Sequence, residues 1–260
     1  MSTPSDLLVG RVDATLHVTF NRPHALNALT TELLNSAAQV IEASGDDPGV
    51  RVVVITGAGR AFSSGADLSV RADPSYTGGP DTVEAVNRLV RALRTVPKPV
   101  VAAVNGPAAG GGCSLALAAD FTVARESAYF LLSFANIGLM PDAGATALVP
   151  AAIGRARATR MAMLAERIPA PLAAEWGLIT QAIPDEDFDS EVQRLTARLA
   201  NGPTAAYAQT KHAFNATTLA HLEQAFTVER TGQSVLTRTA DFAEGIAAFI
   251  QKRAPDFSGT

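Results

Sequence analysis

Apolar and polar positions divide the chain into a first part with short alternating or continuous apolar runs and a second part with helical spacing. Leu7–Val12 and Thr15–Phe20 predict two strands, with His17 set between apolar Leu16 and Val18. The period then lengthens. Leu33, Leu34, Ala37, Val40 and Ile41 form the inner face of a helix opened by Thr30 or Thr31 and ended by Gly45-Asp46-Asp47-Pro48. Val52–Thr56 is a β-branched run of the kind buried on both faces. Val83, Val86, Leu89, Val90 and Leu93 predict a second helix, and Val100–Val104, introduced by Pro97 and Pro99, another buried strand. Residues 121–124 and 129–132 read as further short strands. Ile137–Val149 holds Pro141-Asp142, then a small-residue run that can turn into a helix. From about Arg155 the pattern is mostly helical: Phe188–Leu199, Ala205–Phe214, Leu219–Leu236 with Leu222 and Phe226 at i, i+4, and Ala240–Lys252. The last segment sets Phe242, Ile246, Phe249 and Ile250 on one face, which suits packing on a partner subunit.

Two glycine turns interrupt this pattern, each behind an apolar strand. One is NGPAAGGGCSLALAAD (Asn105–Asp120), in which Gly106, Gly110, Gly111 and Gly112 precede a small-residue helix. A helix that starts at glycines offers free N–H groups where negative charge is favoured, and no Cβ keeps a ligand from the main chain. This turn reads as half of an oxyanion hole. The other is GAGRAFSSGADL (Gly57–Leu68). Arg71–Pro80, rich in Gly, Pro, Ser and Asp and including Tyr76, reads as a lid or pocket rim.

Composition narrows the partners. At 260 residues with net charge −4, the chain has no electrostatic case for nucleic acid or an anionic membrane. A single cysteine, Cys113, excludes an internal disulfide and fits a reducing compartment. No basic–apolar leader and no run near the ~20 residues of a membrane span are present, so a cytoplasmic protein is expected. Neither glycine loop fits a nucleotide P-loop or a dinucleotide fingerprint. His17, His24, His212 and His221 lack zinc spacing, and no G-x-S-x-G elbow surrounds Ser63, Ser64 or Ser114. Cys113 lacks a basic neighbour and reads as a packed residue.

The two turns together resemble the crotonase (enoyl-CoA hydratase/isomerase) family. NRPHALNAL (Asn21–Leu29), AFSSGADL (Ala61–Leu68), Asn105–Asp120, GLMPDAGAT (Gly138–Thr146) and AEGIAAFIQKR (Ala243–Arg253) follow in the family's order and spacing. The resemblance implies an α/β fold: a crotonase-like spiral of ββα units over residues 1–200 with the acyl-CoA site, then a helical C-terminal trimerisation region, 201–260. It also implies a homotrimer, or a hexamer built as a dimer of trimers, acting on an acyl-CoA thioester as substrate, with no separate cofactor and no metal. Carried over residue by residue, the main-chain N–H groups of Ala66 and Gly111 would bind the thioester oxygen. Arg22, His24, Ala25, Leu26 and Ser64 would line the CoA, with Gly65, Asp67, Leu68, Gly110, Ser114 and Phe134 along the substrate channel. Phe249 and Lys252 would reach the CoA of the same or a neighbouring subunit. His24 stands where many relatives carry Lys. Asp67 and Asp120 also read as braces of their turns.

The acid–base groups depart from the hydratase pattern. The family's hydratases use two glutamates, and the corresponding positions here are Ser114 and Phe134. Neither takes and returns a proton near neutral pH. The remaining acid is Asp142, flanked by apolar Phe134, Leu139 and Met140, and isomerases of the family look similar in placing Asp there. Shifting a double bond needs one group that removes a proton at one carbon and returns it at another, while the oxyanion hole holds the dienolate. Asp after Pro, ahead of Ala-Gly-Ala-Thr, is also what a helix cap looks like. The expectation is an enoyl-CoA isomerase using Asp142. Its rivals are a hydratase of atypical mechanism and a non-catalytic acyl-CoA-binding protein lacking both glutamates. Fatty-acid, aromatic and polyketide-like metabolism stay open.

Overall fold

The computed structural model describes residues 5–68 and 81–260, so the lid or rim expected at 71–80 lies outside the described residues. Strands β1 (Leu7–Val12) and β2 (Thr15–Phe20) form an antiparallel hairpin. Helix α1 (Thr31–Ser44) then crosses to β3 (Val52–Gly57), and α2 (Asp81–Thr95) to β4 (Val100–Val104), because parallel neighbours cannot be joined by a tight turn. After the short β5 (Ala108–Ala109) come α3 (Gly111–Leu117), β6 (Phe121–Arg125) and β7 (Tyr129–Leu131). The remaining elements are α4 (Ala145–Met163), β8 (Ile168–Pro169), α5 (Ala170–Glu175), β9 (Gln181–Ile183), α6 (Phe188–Ala200), α7 (Thr204–Thr218), α8 (Leu222–Leu236) and α9 (Ala240–Gln251). One sheet runs β1-β2-β3-β4-β6-β9, parallel from β2 onward; the other runs β5-β7-β8.

The strands are apolar at successive positions because both faces of the main sheet are covered. Val53, Ile55, Val100 and Ala102 face a core shared with Leu33, Leu34 and Ile41 of α1 and Leu89 and Leu93 of α2. Those five helix side chains are essentially fully buried, each worth about 2 kcal/mol over exposure. Val52, Val54, Val101 and Ala103 point the other way, onto Phe188 and Leu199 of α6. Thr30, rather than Thr31, caps α1, its hydroxyl accepting from Leu33 N at 3.2 Å.

The tail differs from the sequence expectation in two places. Strands do not end before Arg155: β8 and β9 follow it, and β9 extends the main sheet against β6. Two and three residues carry no readable period, and pairing with an existing edge decides their conformation. Helix α9 turns Gly245 and Ala248 inward, while Phe249 and Ile250 are more than half exposed. The small residues matter because a Cβ on Gly245 would come within 2.6 Å of the Ile137 main chain. Helix α9 therefore packs on its own chain's Ser133–Ile137 turn.

Two buried polar clusters anchor the C-terminal helices. Lys211 of α7 meets Asp120 at 2.8 Å and donates to Leu93 O at 2.6 Å; Asp120 also holds Val100 N at 2.9 Å and faces Arg94 at 3.4 Å. Burial holds the Lys211 ammonium below its usual range, with Asp120 opposing. In α8, fully buried Glu229 accepts from Gly144 N (2.8 Å), Thr146 N (2.9 Å) and Thr146 Oγ1 (2.6 Å). The free N–H groups at the start of α4 are thus capped from another helix. Burial pushes the Glu229 carboxyl above its usual value despite those donors.

Asp120→Asn should destabilise the fold by about 3 kcal/mol in urea unfolding, since it leaves Lys211 charged, buried and unpaired. A loss within experimental error would show that the cluster is inert. For Glu229 the raised folded pKa means that folding takes up a proton, so the linked stability is complete below the unfolded value near 4.5 and declines as pH rises through the folded one. The stability of the wild type minus that of Glu229→Gln should therefore fall between pH 4 and pH 8. A difference that grows with pH contradicts the shift.

Candidate active site

Three segments lie side by side at the carboxyl ends of β2, β3 and β4, where open parallel sheets expose their loops. The Arg22–Leu29 loop is held by Asn27, fully buried at positive φ, whose Oδ1 accepts from Arg22 N (2.8 Å). The same side chain's Nδ2 donates to Ala58 O (2.9 Å) and Ala61 O (2.8 Å), tying this loop to the next. Ser63 Oγ donates to Asn27 O at 2.8 Å and accepts from Gly65 N at 3.2 Å. Arg22 is drawn into the same frame: its guanidinium meets Asp67 at 2.8 Å, Ala28 O at 2.7 Å and Asp6 at 3.3 Å. Ser64 N donates to Leu26 O at 2.9 Å. Exposed His24 and half-buried Ala25 lie in the Pro23–Ala25 turn beside them.

The Ala61–Leu68 turn is bonded on both flanks. Leu29 N reaches Gly65 O (2.8 Å) and Asp67 N reaches Leu29 O (3.0 Å) on one side. Ala109 N reaches Ser63 O at 2.9 Å on the other. Leu29 and Ala66 form a parallel bridge through the two bonds to Gly65 and Asp67, so the N–H of Ala66 itself points away from Leu29. It has no acceptor among the described residues. Gly111 is the first residue of α3, where an N–H has no intrahelical partner, and it too has no acceptor there. The two turns are in contact: a Cβ on Gly65 would sit 2.9 Å from Ala109 O and 3.3 Å from Gly111 N. Gly65 and Gly110 have φ of +89° and +52°, which only glycine adopts cheaply. Two unpaired amides, one exposed and one half-buried, can bind an oxygen that gains negative charge.

Asp142 is tied to α3 and to α8. Ser114, one turn beyond Gly111 and fully buried, donates its hydroxyl to Asp142 O at 3.0 Å. Gln233 of α8 donates from Nε2 to Asp142 Oδ2 and to Met140 O, both at 2.9 Å. The capping alternative for Asp142 does not describe α4, whose N-cap is Gly144 and whose side-chain acceptor is Glu229. Phe134 is buried in the Ser133–Ile137 turn, whose Ser133 Oγ lies 3.2 Å from a Cβ built on Gly110. Phe249 and Lys252 stand exposed at the end of α9, and half-buried Leu68 ends the described part of its turn.

Gln233 and Glu229 are absent from the sequence reading. Their signal was the stripe Leu222, Phe226, Glu229, Gln233: two polar residues at i+3 and i+4 steps along an apolar helix face. Burial pushes the Cys113 thiol up to about 12, consistent with a packed residue. Among the described residues no cluster of His, Cys, Asp and Glu could hold a metal ion, and no helix is long and apolar enough to cross a membrane. A separate open cleft of about 580 Å³, lined by His17, Val54, Arg60, Arg125 and Phe188, lies on the α6 side of the sheet and includes none of these residues.

Comparison with known proteins agrees with the geometry. The enoyl-CoA hydratase/isomerase family profile matches residues 11–260. A probable enoyl-CoA hydratase of Rhodobacter capsulatus is 43% identical over 93% of each chain. The 1,2-epoxyphenylacetyl-CoA isomerase of Escherichia coli is 41% identical over 93% of this chain and 94% of its own. The crystal structure of an enoyl-CoA hydratase from Mycobacterium avium subsp. paratuberculosis superposes with a TM-score of 0.91, at 48% identity, covering 98% of this chain and 99% of that one. The fold is the crotonase spiral of such structures, and the chain belongs to the enoyl-CoA hydratase/isomerase family, enzymes of acyl-CoA thioesters.

Proposed function

We propose that the protein shifts a carbon–carbon double bond in an enoyl-CoA, with Ala66 and Gly111 N–H holding the thioester oxygen and Asp142 moving the proton. The observation that carries this reading is that Ser114, one turn after Gly111, holds the main chain of Asp142, while by the family resemblance Ser114 and Phe134 stand at the positions of a hydratase's two glutamates. Asp142 would take a proton from the carbon between thioester and double bond. The electrons pass through the dienolate, whose charge rests on the oxygen between the amides, and the same proton returns at the far carbon. Nothing is oxidised and no water is added. Hydration instead requires an activated water and a second proton donor, which two carboxylates supply well and one supplies poorly.

Hydration is the second reading, favoured by the relatives named hydratases. CoA would lie along the Arg22–Leu26 loop and Ser64, with Lys252 toward its phosphates. The exposed Phe214, Val235, Phe249 and Ile250 of α7–α9 would pack in a trimer or a dimer of trimers.

A panel of 2-enoyl- and 3-enoyl-CoA thioesters from six to ten carbons tests the choice. Conversion of 3-enoyl to 2-enoyl thioesters, seen as rising conjugated-thioester absorbance, is expected; rapid loss of that absorbance from 2-enoyl substrates would favour hydration. Asp142→Asn should lower kcat by roughly 10³-fold with CoA affinity unchanged by calorimetry. Gly111→Pro should cost about 10²–10³-fold in either reaction. The first helical position accepts proline, and a Cβ there meets only Leu29 Cδ1, at 3.6 Å. Wild-type rates in Gly111→Pro would remove that amide from the mechanism.

A further inference from the structure

We infer that Gln233 is a positioning residue for the Asp142 carboxylate and that α8 is the bracket through which it acts; this rests on the reading of Asp142 as the acid/base. Nε2 carries two hydrogens, and the structure uses both, toward Met140 O and Asp142 Oδ2. A main-chain carbonyl can only accept, so Met140 O fixes which end of the amide faces the loop. The second N–H is thereby always presented to Asp142. Gln233 is 6% exposed, and its Oε1 is buried without a partner. Turning the amide over would set that oxygen against Met140 O, so the orphaned acceptor is the cost of keeping the donor on Asp142.

The rest of α8 is shaped to hold the same loop. Glu229, one turn before Gln233, grips Gly144 N and Thr146 on the far side of Asp142. Gly232 admits Met140, whose Sδ would lie 2.1 Å from a Cβ there. Gly144 lies under Leu222 and Phe226 of the same helix, 2.9 and 3.1 Å from where its Cβ would be. Ala143 and Gly144, directly after Asp142, both have positive φ. A loop in that conformation keeps one shape only while its surroundings impose it. Ser114 holds the main chain of Asp142, and Gln233 donates to its side chain. A base that must reach two carbons in turn needs a fixed carboxylate, and small misplacements cost about 10²-fold.

The test compares Gln233→Met, similar in volume without a donor, and Gln233→Glu, the same shape without the fixed N–H, with Asp142→Asn. The probe is trans-3-hexenoyl-CoA or trans-3-decenoyl-CoA, whichever the wild type turns over faster. Both Gln233 variants should lose 10- to 100-fold in kcat with KM and CoA affinity within about twofold. In D₂O, deuterium in the product should rise from a fraction toward about one per turnover, because a loosened carboxylic acid exchanges its proton before returning it. A purely structural role would lower the urea midpoint and the active fraction without moving that isotope ratio. An unchanged ratio, or wild-type kcat in Gln233→Glu, with Asp142→Asn inert, overturns this inference alone. An active Asp142→Asn removes the acid/base assignment and this inference with it.

Discussion

The candidate site depends on two main-chain amides that have no acceptor among the described residues, inside a frame where their neighbours do. Asn27, Ser63, Gly65 and Asp67 are each bonded across the three segments, and so are Leu29 and Ala109. Ala66 and Gly111 are left over by geometry rather than by chance. Alternation turns Ala66 away from its strand partner, and Gly111 begins a helix. With their neighbours bonded in place, the two donors would need no reorganisation if charge developed before them, which is what makes such dipoles effective.

The hydrophobic core matters to the chemistry through that rigidity. Strands buried on both faces fix where β3 and β4 end, and the glycine turns begin at those ends. Gly112 shows how close the fit is: a Cβ there would lie 2.6 Å from Ser63 Cβ, so α3 rests on the neighbouring turn. The contact that seats the helix also sets its first amide beside Gly65.

Much of this was legible in the sequence because long elements carry their own period. β1, β2, α1, β3 and β4 stand where alternation and i, i+4 spacing put them. β5, β8 and β9 were not legible; two or three residues become strand only when an edge is offered. The two amides could be named only through motif resemblance, since an N–H has no side-chain signature. Arg22 shows the limit of that route. Its place in the motif suggested a CoA contact, and its guanidinium also meets Asp67 and Ala28 O, a pairing with Asp67 45 residues away that no local pattern encodes. Glu229 and Gln233 were hidden differently, as polar residues in a helix read only from Leu222 and Phe226 at i, i+4.

Ser114 gives the arrangement its chemical sense. At a position where a hydratase carries a carboxylate, this chain has a buried hydroxyl that donates to the main chain of Asp142. On the proposed reading, that helix position would support the acid rather than supply one. Ser114 would then steady the backbone of the one proton carrier and Gln233 its side chain. That suits returning a proton to a second carbon better than activating a water while a separate acid stands opposite.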